Sequence, residues 1–307
     1  MVTGFKSLIE VITYFKDEET CRDFLAHRRW GNGGPVCPHC GTSKKPYVTN
    51  RGYKCSDKDC RRKFTFATRT VYEGTKLSLR IWIAAMYLIS SHKKGISSIQ
   101  LSKDLNITQK TAWYLSHRIR TMIGEAVRQK LTGPVEIDES FVGGRLENKH
   151  EKKRKELEST GRNIKYHPIV SIVQRGGEVR SFSVPDVTSN TIYGIITKNL
   201  ERKETMITDG FTSYNWVGRQ YDHVAVKHNK NRVTYGWRHT NNVEGYFSHF
   251  KRMIIGTYHQ VSSKHLQRYC NEMDFRFSNR NISDGDRFLI AAGICGKRLR
   301  YLDLIKK

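Results

Sequence analysis

Four of the chain's seven cysteines lie between positions 37 and 60, as Cys37-Pro-His-Cys40 and, fourteen residues later, Cys55-Ser-Asp-Lys-Asp-Cys60. Each pair can sit on a tight turn, which brings four thiolates to about 2.3 Å from one tetrahedral zinc ion. Four thiolates leave no open coordination position, so a single Zn2+ here is expected to be structural. The other reading is four reduced cysteines packed as small hydrophobes. It accounts less well for the paired spacing, for Gly41 behind the first pair, and for Tyr47, Tyr53, Phe64 and Phe66 around them. His39 lies inside the first pair and is read as a surface residue. Cys21, Cys270 and Cys295 are far apart and the total is odd, so a secreted disulfide framework is excluded.

Charge is the second constraint. Lys and Arg number 54 against 29 Asp and Glu in 307 residues, a net charge of +25 that calls for a polyanionic partner. Five Trp, fifteen Tyr and thirteen Phe argue against disorder. An acidic membrane surface is the weaker partner, because the best apolar run, Ile81 to Ile89, falls far short of the roughly eighteen residues a spanning helix needs. The N-terminus lacks a small-residue cleavage site, so no signal peptide is expected and the chain is read as cytoplasmic. The charge is also unevenly spread, with residues 1–34 summing to zero, 35–134 to +14 and 135–307 to +11.

Within the basic segment, Ile96–Leu105 and Gln109–Arg120 read as two helices joined by Asn106-Ile107-Thr108, with Thr108 as cap and Ala112, Leu115 and Ile119 inward. Leu79–Ser91 packs behind them as a third helix. This is helix-turn-helix spacing, and it turns Gln109, Lys110, Thr111, Tyr114 and Arg118 outward toward a major groove. Helical hairpins also occur in proteins that never touch DNA. The basic setting and the neighbouring zinc site favour the DNA reading.

Past Thr132-Gly133-Pro134 the pattern changes to strands. Val135–Ser140 alternates and carries Asp138 near its end, just before Gly143-Gly144. A hairpin around Arg175-Gly176-Gly177, a helix near Asn190–Leu200 and the short strand Thr205–Thr208 follow, the last ending in Asp209. A strand at His223–Lys227 precedes His239-Thr240-Asn241-Asn242, where a longer helix begins. In that helix Val243, Phe247, Phe250 and Ile254 form an apolar stripe, and Asn241, Glu244, Ser248 and Lys251 a polar one. Three strands, helix, strand, helix, strand, helix, with acids ending the first and fourth strands and one on a late helix, is the ribonuclease H-like order. Its chemistry needs three carboxylates to hold two magnesium ions about 3.5–4 Å apart. The 70 residues between Asp138 and Asp209 and the 34 between Asp209 and Glu244 suit it. Strand alternation sends Glu139 to the other side from Asp138 and leaves Glu136 deeper on the same side, so neither is expected among the ligands.

CPHCG with the later cysteine pair, FTFATRTVYEGTKLSLRIW, VEIDESFVGG, ITDGFTSY, RHTNNVEGYFSHFKRMIIGTYHQVS and YCNEMDFRFSNR, in this order, resemble bacterial insertion-sequence transposases with an N-terminal zinc ribbon and a DDE catalytic domain, the ISXO-like group related to Merlin elements. The resemblance covers about residues 18–280. It implies cutting and joining of DNA at terminal inverted repeats, with Asp138, Asp209 and Glu244 as ligands of two Mg2+ (or Mn2+) and Lys251 as the DNA-contacting lysine. Parts of this family carry Asn where the third acid is expected. Glu244 is assigned because it is anionic and Lys251 follows at the seven-residue offset; Asn241 shares its face in support, and Asn242 is the weaker choice.

The expected fold is thus α+β and multidomain: an N-terminal helical segment (1–34), a zinc ribbon (35–70) with ligands Cys37, Cys40, Cys55 and Cys60, a helix-turn-helix region (71–133) and an RNase H-like catalytic domain with a mixed sheet (134–307). Arg252 beside Lys251, Lys264, Arg268 and the basic residues between Lys149 and Lys165 are read as phosphate contacts. The expected partners are double-stranded DNA at the transposon ends and target and, because two ends must be paired, a second copy of the chain. Two rival readings remain at this point: a non-catalytic DNA-binding regulator, and an RNase H-like nuclease that cuts without joining.

Overall fold

The structure, a computed structural model, describes residues 4–126, 128–143, 151, 166–226 and 236–306. It divides into two compact units, Met1–Val127 with Asn279–Lys307, and Arg128–Ser278. The sequence placed residues 279–307 in the catalytic domain, whereas they cluster with the N-terminal unit.

That unit opens with α1 (Leu8–Tyr14) and α2 (Glu18–Trp30), the latter stopped by Gly31. The small antiparallel sheet β1 (Tyr47–Thr49), β2 (Gly52–Lys54) and β3 (Lys63–Phe64) carries the cysteines. Then come α3 (Leu79–Ser91), α4 (Ser98–Asp104) and α5 (Gln109–Gly124). Asn106 takes a left-handed φ of 50° in the α4–α5 turn, and the Thr108 hydroxyl caps α5 by accepting from the Thr111 N–H at 3.2 Å.

The C-terminal residues return to this unit for a packing reason. In the helix Asp284–Ala292, Phe288 is fully buried among Phe5, Phe15, Phe24 and Tyr87, with ring centroids 5.9–6.2 Å away. Gly285 lies so close to the Phe5 backbone that an added Cβ would come within 2.0 Å of its carbonyl oxygen. No helix among the described residues is long and apolar enough to cross a membrane.

The second unit is built on a mixed five-stranded sheet of order β6-β5-β4-β7-β8, made of β4 (Val135–Val142), β5 (His167–Gln174), β6 (Val179–Ser183), β7 (Thr205–Asp209) and β8 (Asp222–Val226). β4, β5 and β6 pair antiparallel, while β4–β7 and β7–β8 pair parallel. This is the expected RNase H-like order. One face buries Val135, Ile137, Val170 and Ile172 against Ile192 and Ile196 of α6 (Ser189–Asn199). The other buries Val142, Ile169, Val173 and Val179 against α7 (Asn241–Met253) and α8 (Ser263–Ser278). Every residue of the predicted apolar stripe of α7 is buried, and Asn241, Glu244, Ser248 and Lys251 are exposed. Each such buried side chain contributes about 2 kcal/mol, so the stripe sets the rotation of the helix and hence where Glu244 stands.

Candidate functional site

In the N-terminal unit the four cysteines meet as their spacing predicts. Gly41, at φ 77°, lets its N–H reach the Cys37 carbonyl at 2.8 Å, and Arg61, at φ 46°, reaches the Asp57 carbonyl at 3.1 Å, so each pair does sit on a turn. Cys37 Sγ lies 3.8 Å from Cys60 Sγ, and Cys40 Sγ 3.6 Å from Cys55 Sγ. The edge of a tetrahedron with 2.3 Å zinc–sulfur bonds is about 3.8 Å, close to both of these spacings, and all four sulfurs lie within 4.8 Å of one another. Against burial, which raises it, the backbone N–H groups of Cys40 and His39 bring the Cys37 thiol down to about 7, toward the thiolate a metal needs. Phe64, Trp30 and Tyr53 pack around Cys37, Cys55 and Cys60.

The helix α5 departs from expectation. Gln109 and Lys110 are exposed, but the Gln109 amide donates to the Ser98 hydroxyl at 2.9 Å, and the Lys110 ammonium lies 5.1 Å from the Tyr301 ring. Thr111 is half-buried and bonded to Thr108. Tyr114 donates its hydroxyl to the Leu299 carbonyl at 2.5 Å and stands edge-on to Tyr301, so residues 299–301 cover part of this face. Arg118 is buried rather than outward. It donates to the carbonyls of Val71 and Glu73 and lies 4.7 Å from the Trp82 ring. Helical spacing put Arg118 on the Tyr114 side, but nothing local announces that the 71–73 loop and Trp82 close over it.

In the second unit, parallel pairing sets Ile137 beside Thr208, so Asp138 and Asp209 leave neighbouring strands on the same face; Asp209 ends β7 as expected, but Asp138 lies within its strand, because β4 pairs with β5 as far as Val142. Ligand oxygens of Asp138, Asp209 and Glu139 all lie within 4.8 Å of one another. Glu139 does leave the other side of the strand, where it accepts the Tyr214 hydroxyl at 2.8 Å, yet a carboxylate oxygen of it lies within 4.8 Å of those of Asp138 and Asp209. Its exclusion by alternation is corrected on that point. Asp138 accepts from the Glu139 N–H at 2.8 Å, and Asp209 from the Phe211 N–H at 3.0 Å. Burial drives the Asp138 carboxyl up to about 7; the Glu139 N–H works against this, and the charges of Glu139, Asp209 and Glu244 reinforce it. Burial also raises Glu139. Glu244, exposed on the first turn of α7, is thus close enough to act electrostatically on Asp138, and it accepts the Thr240 hydroxyl at 2.8 Å. Hard carboxylate oxygens gathered this closely are a donor set suited to a divalent cation such as Mg2+.

Lys251 and Arg252 are exposed near the end of α7, and Arg252 donates to the Ser248 carbonyl at 3.1 Å. Lys264 is exposed, and Arg268 lies 2.9 Å from His265 Nδ1. The basic run between Lys149 and Lys165, like Gly144, lies outside the described residues, Glu151 apart. Asn241 is exposed, and Asn242, the weaker candidate for the third ligand, directs its amide to Glu136 at 2.7 Å. Glu136 is the residue that sequence reasoning missed. Its place two residues before Asp138 was visible, but not its bonds to a helix more than a hundred residues away.

Comparison with known proteins agrees with this geometry. Residues 130–278 match the family model of the ISXO2-like transposase domain, and residues 16–63 match the transposase zinc-ribbon domain. The chain is 27% identical over 278 residues, 86% of its length and 92% of the relative's, to a Halobacterium salinarum protein described as an uncharacterized protein in transposable element ISH50. A Haemophilus influenzae protein described as transposase-like is 24% identical over 106 residues, 34% of this chain and 85% of that one. A solved simian T-cell lymphotropic virus intasome, in complex with a PP2A regulatory subunit, aligns with 57% of this chain and 63% of its own at 10% identity, and its TM-score of 0.27 is too slight to count. With both family models matched, and in that order, the chain carries a transposase zinc-ribbon domain followed by an ISXO2-like transposase domain, consistent with an ISXO2-like insertion-sequence transposase.

Proposed function

We propose that the protein binds the terminal inverted repeats of an insertion sequence, cuts there and joins the freed end to target DNA, with Asp138, Asp209 and Glu244 as the metal-holding carboxylates. The observation that carries this reading is the convergence of Asp138 and Asp209 from adjacent parallel strands, with Glu244 close enough to raise the Asp138 carboxyl. Two divalent cations bound there would activate the attacking oxygen and stabilise the leaving one in an in-line displacement. The chain's own groups hold the ligands in place: the Phe211 N–H orients Asp209, the Thr240 hydroxyl orients Glu244, and the Tyr214 hydroxyl holds Glu139 beside them as a fourth carboxylate. Lys251, two turns beyond Glu244 on the exposed face, offers a cation to the phosphodiester backbone. Cys37, Cys40, Cys55 and Cys60 hold one structural zinc. Gln109 and Lys110 remain available to DNA on α5, and a dimer or larger assembly pairs the two ends.

The test uses purified full-length protein with duplex DNA of the element's ends and Mg2+. Asp138→Ala and Glu244→Ala each lose strand cleavage and keep DNA binding. Cleavage that survives both substitutions points to a regulator and overturns the reading. Cleavage without strand-transfer products narrows the protein to a nuclease.

A further inference from the structure

Glu136 is fully buried, and a buried carboxylate is tolerated only when its charge and lone pairs are met. Here four donors meet them. Oε1 accepts from Arg175 Nε at 2.8 Å and from the Asn242 amide at 2.7 Å, while Oε2 accepts from the backbone N–H groups of Asn242 at 2.7 Å and Val243 at 3.1 Å. His239 Nδ1 lies 3.3 Å from Oε1. Arg175 Nη2, at 3.3 Å, and the Asn241 N–H, at 3.4 Å, lie near that same nitrogen. Arg175 Nη2 also holds the His239 carbonyl at 2.9 Å, so the turn between β5 and β6 is tied to the segment that leads into α7.

The first N–H groups of a helix have no partner within it, and the residue before the helix ordinarily supplies one. Thr240 does not, because its hydroxyl donates to Glu244 instead. The first turn of α7 is therefore capped from another element, by a strand residue 106 positions earlier in the chain. That strand residue is two positions from Asp138 and on the same face, about 7 Å along β4. The residues it grips, Asn242 and Val243, immediately precede Glu244.

We infer that Glu136 is a positioning residue whose carboxylate, with Asn242 as its side-chain partner, locks the first turn of α7 to β4 and so sets Glu244 against Asp138 and Asp209. The inference rests on the catalytic reading above. It explains why an Asn precedes Glu244 by two residues: that Asn holds the helix that carries the ligand. A carboxylate suits the task because it accepts from four donors at once and favours the positive end of the helix dipole. A glutamine would turn its NH2 toward an N–H group or the arginine.

The experiment measures Mn2+ binding to full-length protein on linear duplex DNA, from the free-ion electron paramagnetic resonance signal, alongside the Mg2+ dependence of cleavage. Asn242→Ala leaves the backbone donors and the Arg175 pair intact. It is expected to weaken Mn2+ binding about 10-fold and to raise the half-saturating Mg2+ similarly, with DNA affinity unchanged; Glu136→Gln is expected to lose up to about 100-fold. If Glu136→Gln does not fold, Asn242→Ala decides. Wild-type Mn2+ affinity in a folded Asn242→Ala overturns the positioning role, because a residue that only caps a helix would change stability and leave metal affinity alone. Asp209→Asn tests the underlying reading separately. Cleavage surviving it overturns the catalytic assignment and, with it, the role of Glu136; cleavage lost there with unchanged Mn2+ affinity in Asn242→Ala overturns the positioning role alone.

Discussion

Asp138→Asn should stabilise the metal-free protein, and by an amount that depends on pH. The folded carboxyl titrates at about 7 against an ordinary value of 3.8, because burial and then the neighbouring carboxylates disfavour its charge. Between those two values the folded state holds a proton that the unfolded chain has released. Stability from this group is therefore present at acid pH, falls as pH rises from about 4 to about 7, and stays low above. One pH unit corresponds to about 1.4 kcal/mol, so the full cost of ionising Asp138 is about 4 to 5 kcal/mol as an upper limit. Asparagine keeps the shape and can still accept from the Glu139 N–H, without the charge. The expected advantage of the variant is near zero at pH 4 and reaches about 2–4 kcal/mol at pH 8 in the absence of divalent metal. Saturating Mg2+ should close the gap, because the cation stabilises the wild-type carboxylates and not the amide. Urea unfolding of both proteins at the two pH values, with chelator and with Mg2+, measures it as a difference of differences. A gap that is equal at pH 4 and pH 8, or a variant less stable at pH 8, refutes the claim that burial and neighbouring charge hold the Asp138 carboxyl at a cost a cation relieves.

Two further outcomes follow from the N-terminal unit. Zinc content should be one ion per chain, and Cys40→Ser or strong chelation should unfold residues 37–64, because the core there is little more than Cys37, Cys55 and Phe64 and structural zinc supplies about 10 kcal/mol or more. Trp30, which packs edge-on to Tyr53 and Phe64 at 5.6 and 6.2 Å, reports the change by fluorescence, and an unchanged spectrum after zinc removal counts against it. Arg118→Ala should cost about 2–4 kcal/mol by stripping the Val71 and Glu73 carbonyls of a buried donor, whereas Lys110→Ala should change stability by under about 0.5 kcal/mol and weaken DNA binding. Thermal unfolding and a DNA titration separate the two, and the opposite pattern would restore Arg118 as a DNA contact.

Much of this protein was readable residue by residue, wherever the signal is local. The cysteine pairs met because two tight turns are encoded within a few residues of each pair, Gly41 among them. Asp138 and Asp209 stand out in the sequence because period-two alternation marks their strands, although only Asp209 ends its strand and β4 continues past Asp138 to Val142. The apolar stripe of α7 was found because 3.6-residue spacing survives in any context, and it carried Glu244 with it. The sheet order followed from the order of elements, since a strand pattern interrupted by helices leaves few ways to cover both faces.

What only the tertiary structure decided depends on contacts between distant positions. Alternation correctly put Glu139 on the far side of β4, but the distance its carboxylate can reach depends on Tyr214, 75 residues later. Arg118 looked like a groove contact because its burial is set by the 71–73 loop, more than forty residues before it. Residues 279–307 continue directly from the transposase domain, yet Phe288 finds its aromatic partners in Phe5, Phe15, Phe24 and Tyr87. Glu136 and Asn242, 106 residues apart, each look like surface polar groups until the fold removes the water from between them. A sequence displays its periodicities and caps, which act over a few residues. The pairing of buried charges is settled only when the chain closes, because desolvation gives such a pair most of its strength.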